Sequence, residues 1–183
     1  MAQLTVGLDL GNKTLKRVRL RSSFRTVEVV DFTCIAIAED ERPRLERVAE
    51  ALRQIEPDTH QTDLVATALP GDEISIRSLQ LPFKDAKRIQ QTIGLELESQ
   101  IPFSLKNVVY DHLQIGVTAE GGSRHLVALC QIDRLGAWLE ALSAAGLDPR
   151  LVGPDSLAHT SLVAMLPSPD NEGESSVAVL DVG

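Results

Sequence analysis

Two short stretches put a carboxylate two residues ahead of a glycine at the end of an apolar run: Gly7-Leu8-Asp9-Leu10-Gly11 and Leu180-Asp181-Val182-Gly183. The chemistry open to such elements is phosphate binding. A strand that ends in Asp and turns on Gly can bring backbone N–H groups and a carboxylate beside a phosphate and its magnesium. Glycine permits the close backbone approach. Asn12 and Lys13 follow Gly11 as turn residues, and a lysine there can reach a phosphate or fill an empty site. One such element alone is equally an ordinary hairpin with a polar turn. Two of them, near opposite ends of the chain, carry more weight.

Other reactive side chains offer less. His60, His112, His125 and His159 are scattered, with no partner at metal-ligand spacing. Glu96 and Glu98 fall on the solvated face of a helix and make no catalytic dyad, and the serines lack a nucleophile-elbow context. Cys34 and Cys130 are isolated in apolar runs, where a reduced, buried thiol is expected. A disulfide scaffold would need more cysteines and zinc would need spaced ligands.

The elements that must position these residues follow from periodicity. Thr5 to Asp9 reads as a buried strand, the Gly11-Asn12-Lys13 turn leads to a second strand over Leu15 to Arg21, and a third covers Arg25 to Phe32 with an extension through Cys34 to Ala38. Pro43 opens a helix whose Leu45, Val48, Ala49, Leu52 and Ile55 share a face, and Pro57 stops it. Asp63 to Leu69 reads as a strand buried on both faces. After the Pro70-Gly71 turn, Ile74 to Leu81 alternates with Ile74, Ile76 and Leu79 inward. Asp85 caps a helix lined by Ala86, Ile89, Ile93 and Leu97. Gly94 weakens that helix by up to about 1 kcal/mol, and Pro102 ends it. Strands over Val108 to Ile115 and Leu126 to Ile132 flank a Gly121-Gly122 turn. Asp133 caps a helix bearing Leu135, Trp138, Leu139, Leu142 and Ala145, closed by Gly146. A short strand over Arg150 to Gly153, a helix from Asp155 to Met165, a polar loop over Pro167 to Ser176 and a buried strand over Val177 to Asp181 complete the chain. A domain seldom ends on a buried strand, so more protein is expected after Gly183.

Composition sets the class. Of 183 residues, 43% are hydrophobic but only 3% aromatic, so the core is aliphatic. A net charge of −8 argues against a general nucleic-acid binder. No signal peptide and no span of about 18 apolar residues is present, which leads to the expectation of a cytoplasmic chain. Within this acidic sequence, Lys13, Lys16, Arg17, Arg19, Arg21 and Arg25 form a basic stretch. It reads as a solvated strand face with edge protection by charge, or as a contact for an acidic partner or lipid headgroups.

The two Asp-x-Gly elements together resemble the phosphate elements of the actin-like ATPase superfamily. A longer block is more specific. It runs from Thr67-Ala68-Leu69-Pro70-Gly71 through Leu79-Gln80-Leu81-Pro82-Phe83, Asp85-Ala86-Lys87-Arg88-Ile89 and Leu95-Glu96-Leu97-Glu98-Ser99-Gln100-Ile101-Pro102-Phe103 to Val108-Val109-Tyr110-Asp111. This block looks like the cytoplasmic actin-like region of the GspL family of type II secretion, and is similar to the PilM family of type IV pilus assembly. The paired Leu-Pro-Phe and Ile-Pro-Phe phrases favour the secretion family. The same residues, taken alone, are also ordinary core and turn.

The resemblance implies an α/β fold with an α+β insert, the N-terminal part of an actin-like, ribonuclease-H-like architecture. Residues 1–70 with 151–183 would form the incomplete actin-like subdomain and 71–150 the insert. It implies a scaffold and not an enzyme, at the cytoplasmic face of the bacterial inner membrane. Its partners would be the N-terminal domain of a GspE-like secretion ATPase and other inner-membrane platform proteins; the pilus counterpart instead binds an N-terminal peptide of its membrane partner. A homodimer is left open, nucleic acid is not expected, and membrane would be met only through parts beyond Gly183. Asp9, Gly11, Asn12, Lys13, Asp181 and Gly183 would be vestigial phosphate elements. Asn12 and Lys13 stand where nucleotide binders carry small hydroxyl or glycine residues. No metal and no cofactor is expected in this stretch; ATP and magnesium belong to a complete domain. The alternative reading is a nucleotide-binding actin-like ATPase.

Overall fold

The computed structural model describes residues 3–55, 64–165 and 178–179. In chain order these form β1 (Gln3–Leu10), β2 (Thr14–Ser22), β3 (Val27–Ala36), α1 (Arg44–Leu52), β4 (Leu64–Leu69), β5 (Ser75–Leu81), α2 (Ala86–Glu98), a short 3-10 turn at Leu105–Asn107, β6 (Val108–Val117), β7 (Ser123–Gln131), α3 (Ile132–Ala144), β8 (Leu151–Pro154) and α4 (Asp155–Met165). The strand expected over Val177 to Asp181 lies outside the described residues, apart from two positions in irregular backbone. The chain divides into two compact units, Met1–Gly71 with Ala137–Gly183, and Asp72–Gly136.

The first unit is built on a five-stranded sheet in the order β3-β2-β1-β4-β8. The first three strands form an antiparallel meander, and β1, β4 and β8 run parallel. Parallel neighbours need a crossover, which α1 supplies between β1 and β4. Alternation along β1 sends Val6, Leu8 and Leu10 into the core and turns Gly7 and Asp9 to the other face. Val48, Ala51 and Leu52 of α1 and Trp138 and Leu142 of α3 are buried core residues of the same unit. The Arg44 guanidinium lies 5.8 Å from the Trp138 ring centroid, and its Nη2 donates to the Leu10 carbonyl at 3.0 Å.

The second unit is a three-stranded antiparallel sheet, β5-β7-β6, with α2 against one face. Leu79, Leu81, Val108, Val127 and Leu129 meet Ile89, Ile93 and Leu97 of the helix there. Asp85 caps α2 as the sequence predicts, its Oδ1 accepting from Arg88 N at 2.9 Å. Gly146 takes φ +76 behind α3, the left-handed conformation expected of a closing glycine.

Several expectations change. On β5 the inward residues are Leu79 and Leu81, while Ile74 and Ile76 are only half-buried; both parities carry aliphatic side chains, and α2 packs on the odd one. Ala86 is exposed at the start of α2. Asp133 sits in the first turn of α3, which starts one residue earlier, at Ile132. β4 buries Thr67 and Leu69 on one face but only half-buries Ala66 and Ala68 on the other. Cys130 is buried, but Cys34 is exposed, because inward positions of β3 fall on Asp31, Thr33 and Ile35. The basic stretch protects no edge, since β2 lies between β1 and β3.

Candidate functional site

The first of the two sequence elements folds as the hairpin β1–β2. Gly11, Asn12 and Lys13 form its turn, with Asn12 and Lys13 exposed. Glycine at position 11 has a local cause: a Cβ there would lie 2.5 Å from the Thr14 carbonyl oxygen. The Lys13 carbonyl accepts from Ile37 N at 2.8 Å, which ties the turn to the chain leaving β3. The Lys13 ammonium stands 4.0 Å from Glu39 Oε1.

The antiparallel register that sets Leu10 against Leu15 also sets Asp9 against Lys16. Their side chains share a face, and Lys16 Nζ donates to Asp9 Oδ2 at 3.1 Å, with both groups about half exposed. Sequence reasoning placed Lys16 in the basic stretch and missed this pairing. Hairpin arithmetic around the 11–13 turn is the signal that finds it. Asp9, Gly11, Asn12 and Lys13 are therefore brought to one end of one hairpin. Asp181 and Gly183 lie outside the described residues.

A phosphate with its magnesium asks for a carboxylate, a countercharge and an accessible turn. This hairpin end supplies Asp9, Lys16 and the 11–13 turn, which fits one side of such a cradle. Among the described residues no three His, Cys, Asp or Glu side chains gather as metal ligands.

Three further residues of the basic stretch, Arg17, Arg19 and Arg21, face acids. Arg19 donates to Asp31 Oδ2 through Nε at 2.6 Å and also through Nη2. Arg17 Nη2 lies 3.7 Å from Asp31 Oδ1, and Arg21 Nη1 3.7 Å from Glu28 Oε2. The Arg19 hydrogen bond holds the Asp31 carboxyl below its ordinary value, with a further lowering from the Arg17 charge. Arg25 stands at the β2–β3 hairpin tip, 5.9 Å from the Phe24 ring centroid.

In the second unit the distinctive phrases of the 68–111 block do structural work. Leu81 is core, Phe83 and Ile101 pack against that core, and the Arg88 guanidinium lies 4.8 Å from the Phe83 ring centroid. Buried beside them is a polar chain that sequence reasoning missed. His125 Nε2 meets Ser123 Oγ at 2.9 Å, and Ser123 Oγ donates to the Phe83 carbonyl at 2.7 Å. With the serine proton committed to that carbonyl, Nε2 is the protonated nitrogen of His125. His112 closes edge-on, with ring centroids 5.2 Å apart. Burial, with the neighbouring His112, lowers the His125 pKa. The two histidines looked scattered because only the β6–β7 register brings them together.

The fold is that of the actin-like ATPases. A solved protein with an actin-like ATPase fold from Bacteroides thetaiotaomicron superposes with a TM-score of 0.50 at 8% identity, over 90% of this chain and 58% of that one. The chain belongs to the family of the type IV pilus assembly protein PilM, whose profile matches residues 7–183. A solved PilM–PilN type IV pilus biogenesis complex matches with a TM-score of 0.73 and 23% identity, covering 87% of this chain and 49% of that one. The cytoplasmic domain of EpsL, an inner-membrane component of the type II secretion system of Vibrio cholerae, matches with a TM-score of 0.59 and 24% identity, over 93% of this chain and 61% of that one. The type II secretion system protein L of Dickeya chrysanthemi is 29% identical over 90 residues, 49% of this chain and 21% of that relative. The GspL and PilM resemblance read from the 68–111 block thus stands on both sides. The chain spans less than two thirds of each of these relatives. No helix among the described residues is long and apolar enough to cross a membrane.

Proposed function

We propose that this chain is a binding scaffold of a bacterial envelope assembly platform, working at the cytoplasmic face of the inner membrane and not as an enzyme. The observation that carries this reading is the family match across residues 7–183. The relatives in secretion and pilus assembly point to the same kind of task, since one was solved as a PilM–PilN complex and another is an inner-membrane component of a secretion system. The scaffold holds protein partners and needs no hydrolysis. A nucleotide phosphate would meet the Gly11-Asn12-Lys13 turn and Asp9, with Lys16 as countercharge.

Two partners are proposed, each with its own support. The secretion reading, supported by the 29% identical protein L, has the chain dock the N-terminal domain of a GspE-like secretion ATPase. The pilus reading, supported by the family profile, has it take the N-terminal peptide of a PilN-type membrane partner. Calorimetric titration of the chain with each decides between them. Saturable binding of one and not the other assigns the system, and binding of neither overturns the scaffold reading.

A further inference from the structure

The chain passes between its two units at two places, Gly71 to Asp72 and Gly136 to Ala137, and each crossing leaves from a glycine. Neither glycine is required where it stands. Neither takes a positive φ. Gly136 lies in the interior of α3, where glycine is a poor helix former. A Cβ added there would meet no heavy atom within 4 Å beyond its chain neighbours and its own helix backbone. At Gly71 a Cβ would lie 3.5 Å from Asp155 Oδ1, an ordinary contact. Packing and backbone conformation would accept alanine at both positions. What glycine adds is freedom of φ and ψ.

The chain on both sides of the crossings is fixed. In the first unit, Asp155 Oδ2 accepts from the Gly71 N–H at 2.9 Å, and Trp138 and Leu142 of α3 are buried. In the second unit, Arg134 Nη1 lies 3.7 Å from Glu73 Oε2, so the segment that enters this unit and the segment that leaves it run side by side. The second unit also has its own aliphatic core, between α2 and the β5-β7-β6 sheet. Two crossings held side by side restrain a body at one place only, and small backbone rotations at that place carry the whole of it. A hinge has this form, with a few backbone positions absorbing the rotation. Glycine is also a residue at which helices bend.

We propose that Gly71 and Gly136 are the hinge on which residues 72–136 turn as one body. Turning bends α3 between Arg134 and Trp138 and rotates the backbone at Gly71. The Asp155 hydrogen bond and the Glu73–Arg134 pair keep the flanking segments in place. A ligand that touches both bodies would select one setting of the hinge. This inference does not depend on the assembly-platform reading, because it draws only on the course of the chain and on contacts within each unit.

The test is double electron–electron resonance on the 183-residue chain in a Cys130→Ala background. Spin labels go on the native Cys34, which is exposed in the first unit, and on Glu98→Cys, exposed at the end of α2. A control pair, Cys34 with Glu46→Cys, lies within the first unit. The distance distribution between units should be about twice as wide as that of the control or wider. Gly136→Ala should narrow it, and Gly136→Ala with Gly71→Ala should bring it close to the control width. Circular dichroism melts establish that each variant is folded, and Gly136→Ala decides alone if Gly71→Ala misfolds. A distribution between units no wider than the control overturns the proposal. So does a wide distribution that the alanines leave unchanged, because the motion then lies elsewhere in the chain.

Discussion

Asp155 accepts a hydrogen bond from the Gly71 N–H through Oδ2 at 2.9 Å, across 84 residues of sequence. It joins the first turn of α4 to the turn that leaves β4. The whole 72–136 unit is spliced between these two residues. The same carboxylate accepts from Ser156 N through Oδ1 at 2.6 Å, at the helix end where a negative charge is favourable.

Asp155→Ala should therefore destabilise the first unit by about 1 to 2 kcal/mol, and Asp155→Asn by less, because the amide keeps an acceptor. Urea denaturation followed by circular dichroism checks both. Equal losses for the two variants would show that the charge, and not the hydrogen bond, carries the effect.

His125 predicts a loss of stability in mild acid. Burial disfavours its charged form, and nearby His112 adds to this, so its folded pKa lies below the ordinary 6.5. As pH falls the unfolded chain takes the proton first, so stability present above about pH 6.5 drains away as pH drops toward the folded pKa. His125→Gln cannot titrate and keeps a donor for Ser123. Its denaturation midpoint should fall less between about pH 7.5 and pH 5 than that of the wild type. Parallel pH dependence in the two proteins would refute the assignment.

Asp31 gives the opposite partner case, a carboxylate held charged. Its pKa is depressed first by the Arg19 hydrogen bond, against some desolvation, and then by Arg17 and Arg19 charge. That contribution is present above the unfolded value of 3.8 and is lost as pH falls through the folded pKa. Asp31→Asn should cost about 1 to 3 kcal/mol at neutral pH by removing the charge of the carboxylate that faces two part-buried guanidiniums. It should also flatten the stability curve below about pH 4. Guanidinium is unsuitable as denaturant here because it screens the pair, so urea is the measurement of choice.

Gly94 separates helix propensity from packing. In an exposed helix interior, glycine to alanine gains up to about 1 kcal/mol. Here a Cβ would lie 2.7 Å from the Tyr110 hydroxyl, though 3.5 Å from its ring carbon. Gly94→Ala should therefore destabilise the wild type and stabilise a Tyr110→Phe background. A double-mutant cycle of thermal melts tests it, and additivity would mean that the ring moves aside without cost.

Much of the fold was legible along the chain. The meander, α1, the Asp85 cap, the Gly146 closure and the Asp155 helix start all follow from local chemistry: alternation, capping side chains and a residue free of Cβ. The resemblance to the PilM and GspL families was carried by turn and core phrases such as Leu81-Pro82-Phe83, whose spacing is itself a packing constraint. Where both faces of a strand offered aliphatic side chains, as on β5, periodicity could not choose between Ile76 and Leu79. The position of α2 made that choice.

The sequence by itself determined which segments are strands and helices, the family, and the identity of the turn at Gly11-Asn12-Lys13, because those depend on near neighbours. The tertiary structure decided which residues meet. Asp9 found Lys16 through hairpin register, Arg19 found Asp31 across β2 and β3, and His112 found His125 only once a bulged ladder fixed β6 against β7. The physical reason is that register and strand order are set by the burial of whole faces at once, and a pairing between distant side chains is a consequence of that burial and not of any local signal.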